Sequence, residues 1–193
     1  MKKELVLIGA GGHCHSVIDV VELESKYEIK GLLDIHYEEG QSLAGYPVLG
    51  NDELIEELAR KGCHFLITIG QIRNCEPRVR CFESLKELKA PIATVVSPLA
   101  HVSKHAKLGE GTVVMHQALV NAGAVLGENC IVNTRALIEH DCSIGKHTHV
   151  ATGAIVNGGV KVGEESFIGS GSIIRQMLEL PNQSFIKALS LSK

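Results

Sequence analysis

Residues 126–150 read LGENCIVNTRALIEHDCSIGKHTHV, and every sixth residue of this stretch, starting from Leu126, is aliphatic. The same spacing continues in both directions and covers fifteen positions without a slip. These positions are Val102, Leu108, Val114, Val120, Leu126, Val132, Ile138, Ile144, Val150, Val156, Val162, Ile168, Ile174, Leu180 and Ile186. Two residues before them, thirteen of the fifteen side chains are Ala, Ser, Thr or Cys. A fixed period held over this length identifies a repeat architecture.

A six-residue repeat supplies one short strand and one turn, and three such repeats close a triangular coil. Because side chains alternate along a strand, the aliphatic residue and the small residue two places earlier both point into the narrow interior. Gly or Asn often follows the aliphatic residue, as at Gly127 and Asn133, so we expect the left-handed turn conformation there. Fifteen hexapeptides give five coils stacked about 4.8 Å apart. We therefore predict a parallel β-helix over residues 97–193.

The first half of the chain alternates strands and helices. Apolar runs at 4–8, 29–33, 65–69 and 92–96 predict strands, and the segments after Gly12, at 54–59 and at 78–88 predict helices. This order predicts a small Rossmann-like α/β domain over residues 1–96.

A glycine loop, Gly9-Ala10-Gly11-Gly12-His13-Cys14, links the first strand to the first helix. Asp34 follows about twenty residues later, at the end of the second strand. Backbone N–H groups at a helix start bind phosphate, and a carboxylate at the next strand end binds ribose hydroxyls. A nicotinamide enzyme is the alternative, but this half is too short for a complete dinucleotide fold.

Composition excludes several classes of protein. The chain has 193 residues, a net charge of −3, 45% hydrophobic and 4% aromatic residues, and no Trp. No basic block is present, so nucleic-acid binding is not expected. No apolar run approaches the roughly 20 residues of a membrane span. The six cysteines form no C-x-x-C pair, which favours reduced thiols and a cytoplasmic location.

The hexapeptide pattern resembles the left-handed β-helix of the hexapeptide acyltransferases, which are homotrimers with acyl-CoA bound between neighbouring prisms. With a Rossmann-like half before it, the whole chain resembles the NeuD/PglD-type sugar acetyltransferases. The segments that carry this resemblance are Ile8–His13, Gly45–Gly50, Ile69–Gly70, Val132–Thr134 and Ile138–Cys142. The resemblance implies acetyl-CoA as co-substrate. No metal is expected, because the spacing shows no third ligand beside His147 and His149.

His140 is the expected general base, because it lies at a turn between hexapeptides and matches the catalytic histidine of the family. The acidic neighbour Asp141 is expected to orient the imidazole and to raise its basicity. Gly158 lies eighteen residues after His140, one coil further on, so its N–H is placed to polarise the thioester carbonyl.

The resemblance also implies binding residues in both halves. In the β-helix, Asn133 is expected to bind the acceptor sugar. The expected acetyl-CoA contacts there are His149, Gly158, Ser170 and Ala188. In the first half, the expected sugar-nucleotide contacts are Gly11, Gly12, His13, Asp34, Ile35 and Gly70. Ile35 departs from the two consecutive aspartates of some UDP-sugar enzymes, which weakens the inference that uridine is held in the same way.

The sequence thus predicts a bacterial, cytoplasmic, homotrimeric enzyme of surface glycan synthesis. It would move acetyl from acetyl-CoA to the amino group of a nucleotide-linked sugar of the UDP-4-amino-4,6-dideoxy type. The alternatives are O-acetylation of a sialic-acid-like sugar, a catalytically silent scaffold that binds nucleotide sugars, and a zinc-dependent hydratase using His147 and His149. The sequence ends at residues 188–193 without the usual tail of the family, so we expect weaker CoA binding or capping by a partner subunit.

Overall fold

The computed structural model describes residues 2–38 and 40–192 and divides the chain into two compact units. The first comprises residues 1–70 and 76–93, and the second comprises residues 71–75 and 94–193. The chain leaves the first unit after residue 93, whereas the sequence places the boundary after residue 96. The reason is that Val95–Val96 pairs in parallel with Val113–Val114 of the second unit.

The first unit is a five-stranded sheet with three helices. Its strands are β1 (Lys3–Ile8), β2 (Tyr27–Leu33), β3 (Ser42–Leu43), β4 (Tyr46–Gly50) and β5 (His64–Ile67). Its helices are α1 (Gly12–Glu24), α2 (Ile55–Arg60) and α3 (Glu76–Glu87), and a 3-10 turn, Asp52–Leu54, precedes α2. The strand order is β3-β4-β2-β1-β5. All neighbours are parallel except β3 and β4. The Rossmann-like prediction is therefore confirmed, and the strands β3 and β4 are additions to it.

The predicted strand at 92–96 does not form as one element. Ile92 makes a single parallel bridge to Phe65 at the edge of this sheet, and Val95–Val96 belongs to the β-helix. None of the helices in the described residues is long and apolar enough to cross a membrane.

The second unit is a left-handed parallel β-helix of two-residue strands arranged on three faces, as predicted. Face A contains Val95–Val96, Val113–Val114, Ile131–Val132, His149–Val150, Phe167–Ile168 and Phe185–Ile186. Face B contains His101–Val102, Leu119–Val120, Leu137–Ile138, Ile155–Val156, Ile173–Ile174 and Leu191–Ser192. Face C contains Lys107–Leu108, Val125–Leu126, Ser143–Ile144, Lys161–Val162 and Glu179–Leu180. We call the turn that leads from face A to face B corner AB, the turn from face B to face C corner BC, and the turn from face C to face A corner CA.

The interior of the β-helix is built from the two inward positions of each hexapeptide. The aliphatic residues from Val114 to Ile174 are buried and pack in one continuous core with Ala118, Ala136 and Ala154. Cys130 and Cys142 occupy the same small-residue positions and are 1% exposed. The predicted inward stacking is thus confirmed, and these two thiols are part of the core.

The expected position of the left-handed turn residue was wrong. Positive φ occurs at the third residue after the inward aliphatic one, for example at Arg135 (59°), Asp141 (59°) and His147 (57°). Glycine directly after the aliphatic residue serves close packing instead, since a Cβ on Gly127 would lie 2.6 Å from the backbone nitrogen of Lys146. Where this residue is Asn133, its side chain accepts a hydrogen bond from the next backbone N–H at 2.8 Å.

Candidate active site

Corner BC presents an imidazole and a carboxylate side by side. His140 Nδ1 lies 2.9 Å from Asp141 Oδ2, and the two side chains are 53% and 74% exposed. The left-handed conformation of Asp141 is imposed by the hexapeptide turn, and aspartate tolerates it better than most residues. When Nδ1 donates to this carboxylate, Nε2 carries the lone pair and is free to accept a proton.

The next coil places a glycine directly against this histidine. A Cβ on Gly158 would lie 2.5 Å from His140 Nε2 and 2.7 Å from Cε1, so no larger residue fits beside this ring position. Gly158 is buried, its carbonyl accepts the N–H of Met177, and Gly159 N–H donates to the His140 carbonyl. Among the described residues, no acceptor takes the Gly158 N–H. The structure therefore brings the predicted base and the predicted carbonyl-polarising N–H together.

Gly123, one coil before Asp141, has the corresponding role for the carboxylate. A Cβ at Gly123 would collide with Asp141 Oδ1, and Gly123 itself has a positive φ of 76°. Small residues on both sides thus leave room for the His140–Asp141 pair at this corner.

Asn133 and His149 form a second polar group, near corner AB. Asn133 Nδ2 lies 3.1 Å from His149 Nε2, and His149 Nδ1 lies 2.6 Å from the carbonyl oxygen of Gln71. The simplest assignment is that Nδ1 donates to this carbonyl and Nε2 accepts from the Asn133 amide. His149 is 7% exposed and packs edge-on against Phe167. Both ring nitrogens therefore have hydrogen-bond partners within this unit. The prediction that His149 contacts acetyl-CoA did not anticipate these bonds.

The partner of His149 Nδ1, Gln71, belongs to a short segment that joins the β-helix unit from much earlier in the chain. Residues 71–75 belong to the β-helix unit, and Gln71, which is 3% exposed, donates through Nε2 to the carbonyl oxygen of His147 at 3.0 Å. No periodicity signal marks this segment, so sequence reasoning missed it.

Ser170 and Ala188 are exposed and stack along corner AB together with Thr152. Backbone hydrogen bonds join consecutive coils there, from Gly171 N–H to the Thr152 carbonyl and from Leu189 N–H to the Ser170 carbonyl. The predicted column for CoA contacts therefore exists as a continuous corner.

In the first unit, the predicted nucleotide residues line one cavity of about 650 Å³. They are Gly11, Gly12, His13, Asp34, Ile35 and Gly70. The cavity lies where α1 begins, so N–H groups of the first turn of α1 lie at its wall.

Asp34 is committed to the backbone of its own unit. Its Oδ2 accepts the Ala10 N–H at 2.6 Å, and its Oδ1 accepts the His36 N–H at 2.7 Å. The carboxylate thereby fixes the glycine loop to the end of β2. Each of these oxygens keeps a further lone pair, and the predicted contact with the nucleoside would use those lone pairs.

Asp52 and Arg80 also line the cavity, and sequence reasoning did not select either. Burial, with a smaller contribution from the charge of Asp34, raises the pKa of Asp52. Asp52 follows β4, so recognising that strand, which ends at Gly50, would have marked it as a residue at a strand end.

No group of three or more His, Cys, Asp or Glu side chains is placed to hold a metal ion in residues 2–38 and 40–192. His147 and His149 are two positions apart in the chain, and their ring nitrogens lie within hydrogen-bond distance of Asn129, Asn133 and the Gln71 carbonyl.

Comparison with known proteins agrees with both halves of the chain. The family model of the PglD N-terminal domain matches residues 4–85, and that of the bacterial transferase hexapeptide (six repeats) matches residues 141–176. A search of curated proteins gave no significant match.

Three solved structures match 93% or more of this chain. The acetyltransferase domain of PglB from Neisseria gonorrhoeae FA1090 is 32% identical, with a TM-score of 0.93, over 100% of this chain and 92% of that one. The same domain in complex with acetyl coenzyme A is 33% identical, with a TM-score of 0.87, over 94% and 86%. PerB from Caulobacter crescentus in complex with CoA and GDP-perosamine is 25% identical, with a TM-score of 0.77, over 93% and 91%. Since the first of these relatives matches the whole chain, the protein belongs to the PglD/NeuD-type sugar acetyltransferases, which use acetyl-CoA.

Proposed function

We propose that this protein transfers the acetyl group of acetyl-CoA to the amino group of a nucleotide-linked amino sugar, with His140 as general base. The single observation that carries this proposal is the position of His140. Its Nδ1 meets the Asp141 carboxylate, and its Nε2 lies beside Gly158, whose N–H has no acceptor in the described residues. A base and an oxyanion donor side by side are what acyl transfer to an amine requires.

The proposed reaction is a direct attack. The sugar nitrogen forms a bond with the thioester carbonyl carbon while His140 Nε2 takes the amine proton, and the Gly158 N–H stabilises the charge on the carbonyl oxygen. The carbon–sulfur bond then breaks, and the proton leaves with the CoA sulfur. General-base catalysis of this kind contributes roughly 10²–10⁴-fold to the rate.

We propose that the site is completed between copies of the chain in a homotrimer. Asn133 lies before the strand Leu137–Ile138, at corner AB, and His140 lies after it, at corner BC. The two residues are seven positions apart, which is at most about 23 Å of extended chain. Face B between these corners carries an outward column of aliphatic side chains. This column consists of Leu119, Leu137, Ile155, Ile173 and Leu191, none of which is fully buried in the single chain. A stripe of this kind is typical of a surface covered by another subunit.

We propose that the cavity of the first unit binds the nucleotide, with its phosphates at the start of α1. PerB, which has a similar fold, is a complex with CoA and GDP-perosamine, and this supports a nucleotide-linked amino sugar as acceptor. A UDP-4-amino-4,6-dideoxy sugar is the acceptor that we propose for the present chain.

The six cysteines are all free thiols, which supports a reducing, cytoplasmic location in a bacterium.

The test is release of CoA thiol from acetyl-CoA with a panel of acceptors. The panel contains a UDP-4-amino-4,6-dideoxy sugar, a GDP-linked 4-amino sugar, and free and CMP-linked sialic acid. We expect turnover on an amino-sugar nucleotide and a loss of at least about 10²-fold in His140→Ala. His105→Ala is the matched control, since His105 is an exposed histidine at the same corner two coils earlier. Turnover on sialic acid alone would make the enzyme an O-acetyltransferase, and a silent wild type that still binds nucleotide would make it a scaffold.

A further inference from the structure

The residue directly after the inward aliphatic one can cap its turn of the β-helix through its side chain. In three turns this residue carries a side-chain oxygen that accepts the following N–H. Asn121 accepts from Ala122 at 2.8 Å, and Asn133 accepts from Thr134 at 2.8 Å. Glu139 accepts from the His140 N–H at 3.1 Å. These N–H groups are therefore not available to a ligand.

Asn157 holds the same position before Gly158 and behaves differently. Its Nδ2 donates to the carbonyl oxygen of Ile174 at 2.7 Å, in the next coil. The same carbonyl accepts the backbone N–H of Asn157 at 3.2 Å. The side chain is thereby fixed toward Ile174, and its oxygen does not accept the Gly158 N–H.

We infer that Asn157 is a positioning residue that keeps the Gly158 N–H open for the carbonyl oxygen of the acetyl group. Asn157 touches neither the base nor the acetyl group, and it acts through the backbone of Gly158. This inference rests on the proposed acetyl transfer, in which Gly158 is the oxyanion donor beside His140 Nε2.

The chemistry of the amide makes this role specific. An asparagine amide has both a donor and an acceptor, so it satisfies the Ile174 carbonyl through its nitrogen. An aspartate in the same place has only acceptors and cannot make that bond. It would turn to the nearest donor, the Gly158 N–H, as Glu139 does with the N–H of His140. The substitution would thus fill the oxyanion site with a carboxylate of nearly identical size.

The experiment compares Asn157→Asp with Asn157→Ala. We expect the aspartate variant to lose about 10²-fold in kcat, the effect of removing one oxyanion donor, with the KM for the acceptor little changed. Alanine has no acceptor for the Gly158 N–H, so we expect a defect of only about fivefold from the lost anchor, since hydrogen bonds of this kind are worth about 1 kcal/mol. A purely structural role would give the alanine variant the larger defect, because it loses every side-chain contact.

Binding gives a readout that needs no acceptor sugar. Calorimetry should show that the wild type and Asn157→Ala bind acetyl-CoA more tightly than CoA, and that Asn157→Asp has lost this preference. Should the aspartate variant fail to fold, amide exchange in the wild type provides the test: the Gly158 N–H should exchange faster than the capped N–H of His140.

Failure of the proposed acetyl transfer and failure of the role of Asn157 would give different results. A wild type that neither binds nor turns over acetyl-CoA refutes the proposed function. An active wild type whose aspartate variant keeps full activity, or whose alanine variant loses as much as the aspartate variant, refutes only the role of Asn157.

Discussion

The imidazole of His140 lies against Gly158, and a Cβ on residue 158 would come within 2.5 Å of the Nε2 atom that is the proposed base. Gly158 does not have a positive φ, so replacing it with alanine introduces a steric conflict with this ring and no backbone strain. The ring is an exposed side chain that moves readily, whereas the backbone of the coil is held by hydrogen bonds on both sides.

We therefore expect Gly158→Ala to displace His140 without unfolding the protein. The expected result is a fall in kcat of at least about tenfold, as is typical when a catalytic group is misplaced, with a melting temperature close to that of the wild type. The double variant with His140→Ala should be no slower than His140→Ala alone, because both changes act on the same base. Additive losses in the double variant would contradict this explanation.

Asp52 should make stability depend on pH in the acidic range. Burial, and then the charge of Asp34, raises the pKa of Asp52 in the folded state above its ordinary value. The folded protein therefore binds this proton more tightly than the unfolded chain does. The associated stability is fully present below the ordinary pKa of about 3.9 and is lost as the pH rises through the raised value.

Asp52→Asn removes this titration. We expect the variant to melt above the wild type at pH 7 and the difference to shrink near pH 4. The difference should be small, because Asp52 is only partly buried and water screens its charge. Melting curves of both proteins at the two pH values measure this. A difference that is equal at pH 4 and pH 7 would show that Asp52 does not titrate as described.

Replacing two glycines of the β-helix by alanine should lower the free energy of unfolding by different amounts. A Cβ on Gly145 would collide with the backbone at Glu164, which cannot retreat without opening the ladder between coils. Gly153 has a φ of 66° but open space around its Cβ position, so only the left-handed conformation is penalised. We expect a loss of about 3 kcal/mol for Gly145→Ala and about 1–2 kcal/mol for Gly153→Ala in urea unfolding. The reverse order would mean that turn strain outweighs contact between coils.

Ile155 lies at the middle of the aliphatic column on face B. Glu at this position would bury a charge in the proposed trimer contact, a cost that association at micromolar concentration cannot offset. We expect Ile155→Glu to run as a monomer in light scattering and to lose activity, because the site would no longer be completed. Ser143→Glu, on the exposed strand of face C, is the control and should remain oligomeric. A trimeric Ile155→Glu variant would place the contact on another surface.

The sequence predicts the β-helix well because its signal is local and repeated. Each inward aliphatic residue depends only on its place in the hexapeptide, and the resemblance to a family supplied the pairing of His140 with Asp141. Contacts between coils carry no such signal. The need for glycine at Gly127 arises from Lys146 of the next coil, and a single hexapeptide gives no sign of it.

Contacts between segments that are distant in the sequence are also not encoded by the repeat. His149 looks like an exposed strand residue in the repeat, yet the Gln71 carbonyl, which lies 78 positions earlier in the chain, accepts from its ring. Asp34 was predicted as a nucleoside ligand on its position at a strand end, and its carboxylate oxygens accept backbone N–H groups of Ala10 and His36. Both are polar pairings that depend on how distant segments meet, which periodicity does not encode.

The open Gly158 N–H also bears on how this protein ages. An asparagine followed by glycine is the pair at which a backbone nitrogen most easily attacks the preceding side-chain amide, because glycine offers no steric hindrance. In that reaction the Gly158 nitrogen bonds to the Asn157 side-chain carbon, ammonia leaves, and water opens the ring to give a carboxylate. The hydrogen bond from Asn157 to Ile174 holds the amide away from this path, and heating that loosens the turn would release it. The ring opens to aspartate, as in Asn157→Asp, or to isoaspartate, in which the backbone runs through the former side-chain carbon, so we expect the enzyme to lose activity with time.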